Sequence, residues 1–235
     1  MTTPAIEKVE GLPLFSAIEP KDIKPAIEKA IATCKQEIDE VVASKDYSYA
    51  NLVLRLEEVD DKLSKMCSPV SHMNSVVSSD ELREAHDACL PLLSEYGTWV
   101  GQHHGLYQAY EALKASEEYA TLDAQRKKVI DNAIRDFTLS GVALPEEKKQ
   151  RFAQIQAKLS ELSSTFSNNV MDATMGWTKH ITDEDELAGM PESAKEAAAQ
   201  AAHQKDLQGW LFTLDISSYL PVMLYADNSS LREEM

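Results

Sequence analysis

Residues 145–173 read PEEKKQRFAQIQAKLSELSSTFSNNVMDA, and the spacing of their apolar members decides the fold. Phe152, Ile155, Leu159, Leu162, Phe166 and Val170 recur every three or four residues, the period of one helical face. Pro145 suits a first helical turn, where its missing N–H costs nothing, and Glu146 and Glu147 complement the positive end of the helix dipole. The stretch therefore predicts one long helix ending near Ala173. The same period recurs upstream. Leu122, Val129, Ile130, Ala133, Ile134 and Phe137 predict a helix with Thr121 as its N-cap, and Gly141 stands where a helix end favours a left-handed residue. Ser79-Asp80-Glu81-Leu82 opens a helix through Ala85, Cys89, Leu92, Leu93, Tyr96 and Val100, with a kink expected at Pro91. Leu106, Tyr107, Tyr110 and Leu113 carry that pattern past Gly101 and Gly105. Ser48 caps a helix bearing Leu52, Leu56, Val59, Leu63 and Met66, expected to be interrupted at Pro69. Ile23, Ile27, Ile31, Cys34, Ile38 and Val41 form the stripe of a first helix, behind an extended leader running from Met1 through Pro4, Pro13 and Pro20.

Downstream of the long helix only residues 177–181 and 210–214 look extended, each short, aromatic or β-branched and close to turn residues, and they suit an antiparallel pair. Between them the alanine-rich segment from Pro191 to Lys205 reads as a solvent-side helix. No self-similar period of a repeat array is visible. The fold class is all-α, mainly long antiparallel helices, with one short β-hairpin near residues 177–181 and 210–214. Residues 1–175 form a helical N-terminal domain, and 176–235 form the hairpin and the start of a further helical region. Asn228 to Met235 begins a helix with a serine cap at Ser230 and then stops, which predicts a truncated chain whose continuation is helical.

The composition excludes several classes of function. The formal charge is −16, from 23 basic and 39 acidic residues, with the excess spread along the chain. Such a surface repels polyanions, so neither nucleic acid nor an anionic membrane is an expected partner. Arg126, Lys127 and Lys128, and Lys148, Lys149 and Arg151, are interleaved with acids and read as solvated helix faces. Cys34, Cys67 and Cys89 are odd in number and lack CxxC spacing, as expected of free thiols in a reducing cytoplasm. No charged-then-apolar leader opens the chain, and no uninterrupted apolar run approaches about 18 residues.

A hydrolytic zinc site commonly uses His-Glu-x-x-His on a helix, with the glutamate activating water. The six histidines, His72, His86, His103, His104, His180 and His203, contain no pair at that spacing. His103 and His104 are adjacent, so on a helix they point about 100° apart. His86 with Cys89 is an i,i+3 pair that would be half a metal site, for which no further ligands are evident, and ordinary packing is the simpler reading. The patterns of a serine nucleophile elbow, a phosphate-binding loop and a dinucleotide-binding turn are all absent. Carboxylate runs such as Glu57-Glu58, Asp60-Asp61 and Asp183 to Glu186 read as solvated charge. Catalytic, cofactor-binding and metal-ligating residues are accordingly expected to number none in this chain. Three mixed polar and aromatic segments, Ser68 to Asn74, Tyr96 to His104 and Phe166 to Asn169, suit either a wet groove for an extended peptide or ordinary capping and burial.

Those same segments carry a resemblance that runs essentially end to end. Ser68-Pro69-Val70-Ser71-His72, Leu90-Pro91-Leu92-Leu93-Ser94-Glu95-Tyr96 with Trp99-Val100-Gly101-Gln102-His103, and Leu159-Ser160-Glu161-Leu162 with Phe166-Ser167-Asn168-Asn169-Val170 carry most of it. Asp172 to Thr178 and Tyr219-Leu220-Pro221-Val222-Met223 extend it. In these runs the chain resembles the N-terminal part of the thimet-oligopeptidase family of zinc metallopeptidases. The resemblance implies a helical wall of a deep channel that admits short peptides, in a cytoplasmic enzyme whose zinc ligands and catalytic groups lie in a later, catalytic domain. It therefore carries no catalytic or metal residue over to this chain, and it implies zinc in the full-length parent and none bound here. An acidic wall would favour peptides with basic groups. The competing reading is a self-standing helical interaction module that binds a partner helix in an apolar groove and has no enzymatic role.

Overall fold

The computed structural model describes residues 3–235, so Met1 and Thr2 of the expected leader lie outside the described residues. The chain divides into two compact units, 1–164 and 165–235.

In the first unit the expected stripe of the first helix becomes α1 (Pro20–Ser44), which buries Ile23, Ile27, Ile31, Cys34, Ile38 and Val41. Its length lets it serve two apolar clusters. The N-terminal half packs with α2 (Arg55–Val76) and α3 (Asp80–Gly101) around Leu63, Val70, Leu82 and Cys89. The C-terminal half packs with α4 (His104–Lys114) and α6 (Ala124–Leu139) around Leu106, Leu113, Ile130 and Phe137. A short α5 (Glu117–Thr121) joins the last two.

Several local expectations are corrected. The leader is not simply extended, since two 3-10 turns, Ala5–Glu7 and Phe15–Ala17, interrupt it. Ser48 caps as expected, its hydroxyl accepting from the Asn51 N–H at 3.3 Å, but the turn it opens, Tyr49–Leu54, is a π-helix that feeds into α2. The wider π turn lets consecutive Leu52 and Val53 both reach the core. Pro69 does not interrupt α2. It removes one backbone hydrogen bond, but burial of Pro69 and Val70 against the core holds the helix through it. The pattern expected to run on past Gly101 is broken instead at Gln102, and His103 caps a new helix. Thr121 is not the cap of α6. Asp123 is, accepting from the Arg126 N–H at 2.8 Å, while the Thr121 hydroxyl donates to the Glu118 carbonyl. Gly141 takes the left-handed conformation foreseen, φ +82°.

The long helix α7 (Glu146–Gly176) forms as its spacing predicts, but none of its residues is buried. Ile155, Leu159 and Leu162 are 43%, 52% and 51% exposed.

The second unit is built on the predicted hairpin, β1 (Thr178–Ile181) and β2 (Trp210–Thr213), antiparallel with Thr178 opposite Thr213 and Ile181 opposite Trp210. Helix α8 (Glu192–His203) is not a solvent-side helix. Its small residues let it lie close to β2, and Ala198 and Ala202 are buried. Helices α9 (Ile216–Tyr225) and α10 (Ser229–Glu234) contribute Val222 and Leu231 to the core around Phe212. The cap of α10 is Asn228 rather than Ser230, since the amide oxygen of Asn228 accepts from the N–H groups of Ser230 and Leu231.

Among the described residues the chain is thus mainly helical with a single short hairpin, as the spacing predicts. No helix of the described residues is long and apolar enough to cross a membrane.

Candidate functional site

The candidate groove residues around the end of α3 separate onto two faces. Tyr96, Gly97, Val100 and Gly101 line a cavity of about 360 Å³ inside the first unit. Trp99, Gln102, His103 and His104 line a different recess, completed by Glu146 and Lys149. Ser68 and Pro69 contribute to a third, smaller recess of about 160 Å³ beside the leader, with Ile6, Leu14 and Ile18. Phe166 to Asn169 stand on α7 within the second unit, with Phe166 exposed.

His72, His86, His103 and His180 each have a local structural task. The Nδ1 of His103 accepts from the Leu106 N–H at 3.0 Å and so caps α4, which leaves the proton on Nε2, 3.6 Å from an Asp39 carboxylate oxygen. Its ring also meets Trp99 edge-on at 4.8 Å. His180 Nε2 lies 2.6 Å from the Gln208 carbonyl, and His72 packs on Phe15. His86 and Cys89 do not converge as half a metal site. The Cys89 thiol turns back to the Ala85 carbonyl at 3.2 Å, while the His86 ring is engaged by Asp87 at 3.1 Å and Ser71 at 3.5 Å. Among the described residues no group of three or more His, Cys, Asp or Glu is placed to hold a metal ion.

Ser71, His86 and Asp87 stand in the order of a hydrolytic triad, with Ser164 donating to Asp87 at 2.9 Å. The serine nevertheless sits inside α2, where its own N–H and the next are committed to carbonyls four residues back. No backbone donor is left to stabilise an oxyanion there, so the arrangement is a polar tie between helices.

The cavity of about 360 Å³ beside α3 joins residues of α1, α2, α3, α4 and α6. Its walls are aromatic and aliphatic, with Tyr96, Tyr110 and Phe137 among them, and Tyr110 and Phe137 lie 5.7 Å apart between ring centres. Buried Cys34 also lines it and donates to the Val59 carbonyl at 3.7 Å, and burial pushes its thiol up. Burial likewise raises the Tyr96 phenol, and that of Tyr110 is pushed up to about 12. Glu57 and Asp60, one helical turn apart on α2, stand at the rim. Neither side chain has a hydrogen-bond or ion-pair partner among the described residues, whereas neighbouring Glu58 and Asp61 pair with Lys62 and Lys65 at 2.9 and 2.6 Å. The protein around Asp60 raises its carboxyl above the usual carboxylate range, and the adjacent charge of Asp61 adds to the shift.

Gly97 completes the rim. A glycine inside a helix costs roughly 0.5–1 kcal/mol relative to alanine and is usually repaid by close packing. At Gly101 that explanation holds, since a Cβ there would meet Ser140 at 2.7 Å. At Gly97, which is exposed and lines the cavity, an added Cβ meets nothing within 4 Å, so close packing does not explain this glycine.

The raised carboxyl of Asp60 makes a prediction. Above its folded-state pKa the ionised group is less favourable in the folded chain than in the unfolded one, and as pH falls through that value the folded chain takes up the proton first. Asp60→Asn is therefore expected to raise the melting temperature at pH 7, and the gain to shrink as pH is lowered to about 4. A variant less stable than the parent at pH 7, or a gap independent of pH, would contradict this.

In sequence Glu57 and Asp60 read as solvated charge, and Tyr110 and Phe137 share the apolar helical period. The one available signal was an unexplained helical glycine beside Tyr96.

The comparisons bear on the whole chain. A family model described as the neurolysin/thimet oligopeptidase N-terminal domain matches residues 27–149. The chain is 56% identical over its full length to oligopeptidase A of Haemophilus influenzae, covering 34% of that protein, and 57% identical to oligopeptidase A of Escherichia coli, covering 35%. It is 34% identical over 95% of its length to a probable cytosolic oligopeptidase A of Arabidopsis thaliana, covering 33%. The chain thus spans about a third of the length of the curated relatives it matches.

Proposed function

The chain belongs to the neurolysin/thimet oligopeptidase N-terminal domain family, and from that premise we propose that it is the helical, substrate-channel-forming part of a zinc metalloendopeptidase that hydrolyses short oligopeptides in the cytoplasm. The observation that carries this reading is the bare apolar face of α7. Ile155, Leu159 and Leu162 fall on one stripe of the helix and are all about half exposed, an arrangement that marks a surface meant to be covered. In this reading the cover is the remainder of a polypeptide about three times as long, which also supplies the catalytic domain.

The described side chains do not fit a zinc centre, because no cluster of ligands converges among them. Bond cleavage is therefore assigned to the later domain, and no catalytic step is assigned to residues of this chain. What these helices contribute is a wall that positions an extended peptide and excludes folded proteins by width.

The test compares this chain with one extended through the absent region, each assayed on a short fluorogenic peptide with zinc added. The extended protein is expected to bind one zinc ion and cleave. The 235-residue chain is expected to do neither. Amide exchange along residues 155–162 is expected to slow in the extended protein as the stripe is covered. Cleavage or stoichiometric zinc in the short chain, or unchanged exchange along α7, would overturn the reading.

A further inference from the structure

We propose that the cavity between α1, α2, α3, α4 and α6 is a binding site for an ammonium ion carried on an apolar or aromatic body, with Asp60 and Glu57 as the anionic rim. At about 360 Å³ the space falls within the range of small-molecule sites, and its walls offer apolar and aromatic surface with Glu57 and Asp60 on α2, and Asp136, already paired with Arg135, on α6. Tyr96, Tyr110 and Phe137 supply aromatic surface, which attracts a cation as well as an apolar ring.

Charge complementarity selects the occupant. Two carboxylates at the rim lack any cationic partner among the described residues, although their neighbours on the same helix are paired. An anion would be repelled by both. A neutral apolar molecule would gain nothing from them, since both are exposed to water. An amine with an apolar body satisfies the walls and the rim together. Gly97 lines the cavity without a side chain, and the structure has room for one there.

The ammonium group could belong to a free amine or to the N-terminus of a short apolar peptide, and both present the same chemistry. The site does not depend on the peptidase reading, and its failure would leave that reading intact.

Titration of the isotope-labelled chain with 2-phenylethylamine, followed by amide and methyl shifts, tests the proposal. Saturable shifts are expected at Val59, Val100 and Ala133, which line the cavity. Phenylacetate and 2-phenylethanol are expected to bind at least about tenfold more weakly. Asp60→Asn is expected to weaken amine binding by about tenfold without lowering the melting temperature. Gly97→Leu, which adds a bulky side chain to a residue lining the cavity, is expected to abolish it. Asp61→Asn, which removes an equal charge already paired with Lys65, is expected to change it less than threefold. A Phe-Leu dipeptide with a free N-terminus, compared with its acetylated form, distinguishes the sources: binding of the free form only assigns the site to peptide N-termini, and binding of phenylethylamine alone assigns it to free amines. Absence of saturable shifts, equal binding of the alcohol, or full binding by a folded Gly97→Leu variant would refute the site.

Discussion

Phe212→Ala is expected to lower the stability of the second unit by about 3–5 kcal/mol, the usual effect of truncating a buried phenylalanine. Phe212 is the largest of the fully buried side chains and is central to the core formed by Ile181, Leu187, Val222 and Leu231. A small unit has few other contacts to compensate, because the buried share of its surface falls with size. Its total stability lies in the same range as the loss, if it follows the usual 0.05–0.15 kcal/mol per residue. Urea unfolding in a Trp99→Phe background isolates Trp177 and Trp210, which both lie in this unit. With a urea dependence of about 1–3 kcal/mol/M, the midpoint should fall by a molar unit or more, or the unit should be unfolded from the start. An unchanged midpoint would show that Phe212 does not anchor this core.

Gly209→Ala is expected to be nearly as disruptive for a different reason. Gly209 has φ +93°, and a Cβ there would collide with the Ile181 carbonyl oxygen. The backbone conformation alone costs of order 1–3 kcal/mol for a residue with a side chain. The collision adds to it, because the obstacle is main chain and cannot rotate away. Ile181 pairs with Trp210, so relief would have to come from separating the strands at that end. The same background and urea titration should show a lower midpoint, with loss of amide protection first at Ile181 and Trp210. Gly97→Ala, in the first unit and with a Cβ that meets nothing, is the control and should leave this midpoint in place.

The helices and the hairpin were legible because period alone specifies them. The stripe from Ile23 to Val41 and the pair of short extended segments each admit one regular structure. Boundaries were less legible. Thr121 and Asp123 are both good caps two residues apart, and Ser230 competes with Asn228, so the choice depended on where neighbouring helices had to end. The failed expectation at Pro69 shows tertiary burial outweighing a local preference. The burial of α8 was missed because alanine reads as neutral in sequence, whereas in space its small size lets a helix approach a strand closely.

The cavity was the least legible feature. Its carboxylates resemble the many solvated acids of a chain with 39 of them, and its aromatic residues share the period of the core. What distinguishes Asp60 from Asp61 is the presence of Lys65 one turn beyond Asp61 and of the cavity beside Asp60. Only the second of these needs coordinates. The histidines show the reverse case. Lacking the ligand spacing in sequence, His72, His86 and His103 stack, tie and cap.

Helix α1 belongs to both apolar clusters of the first unit, with Ile27 in one and Val41 in the other. Neither cluster can lose its share of that helix without weakening the other's, so melting should be all-or-none across the unit despite its two centres. Damage at either end is then felt at both, and α1 should be the last segment to surrender its amide protons.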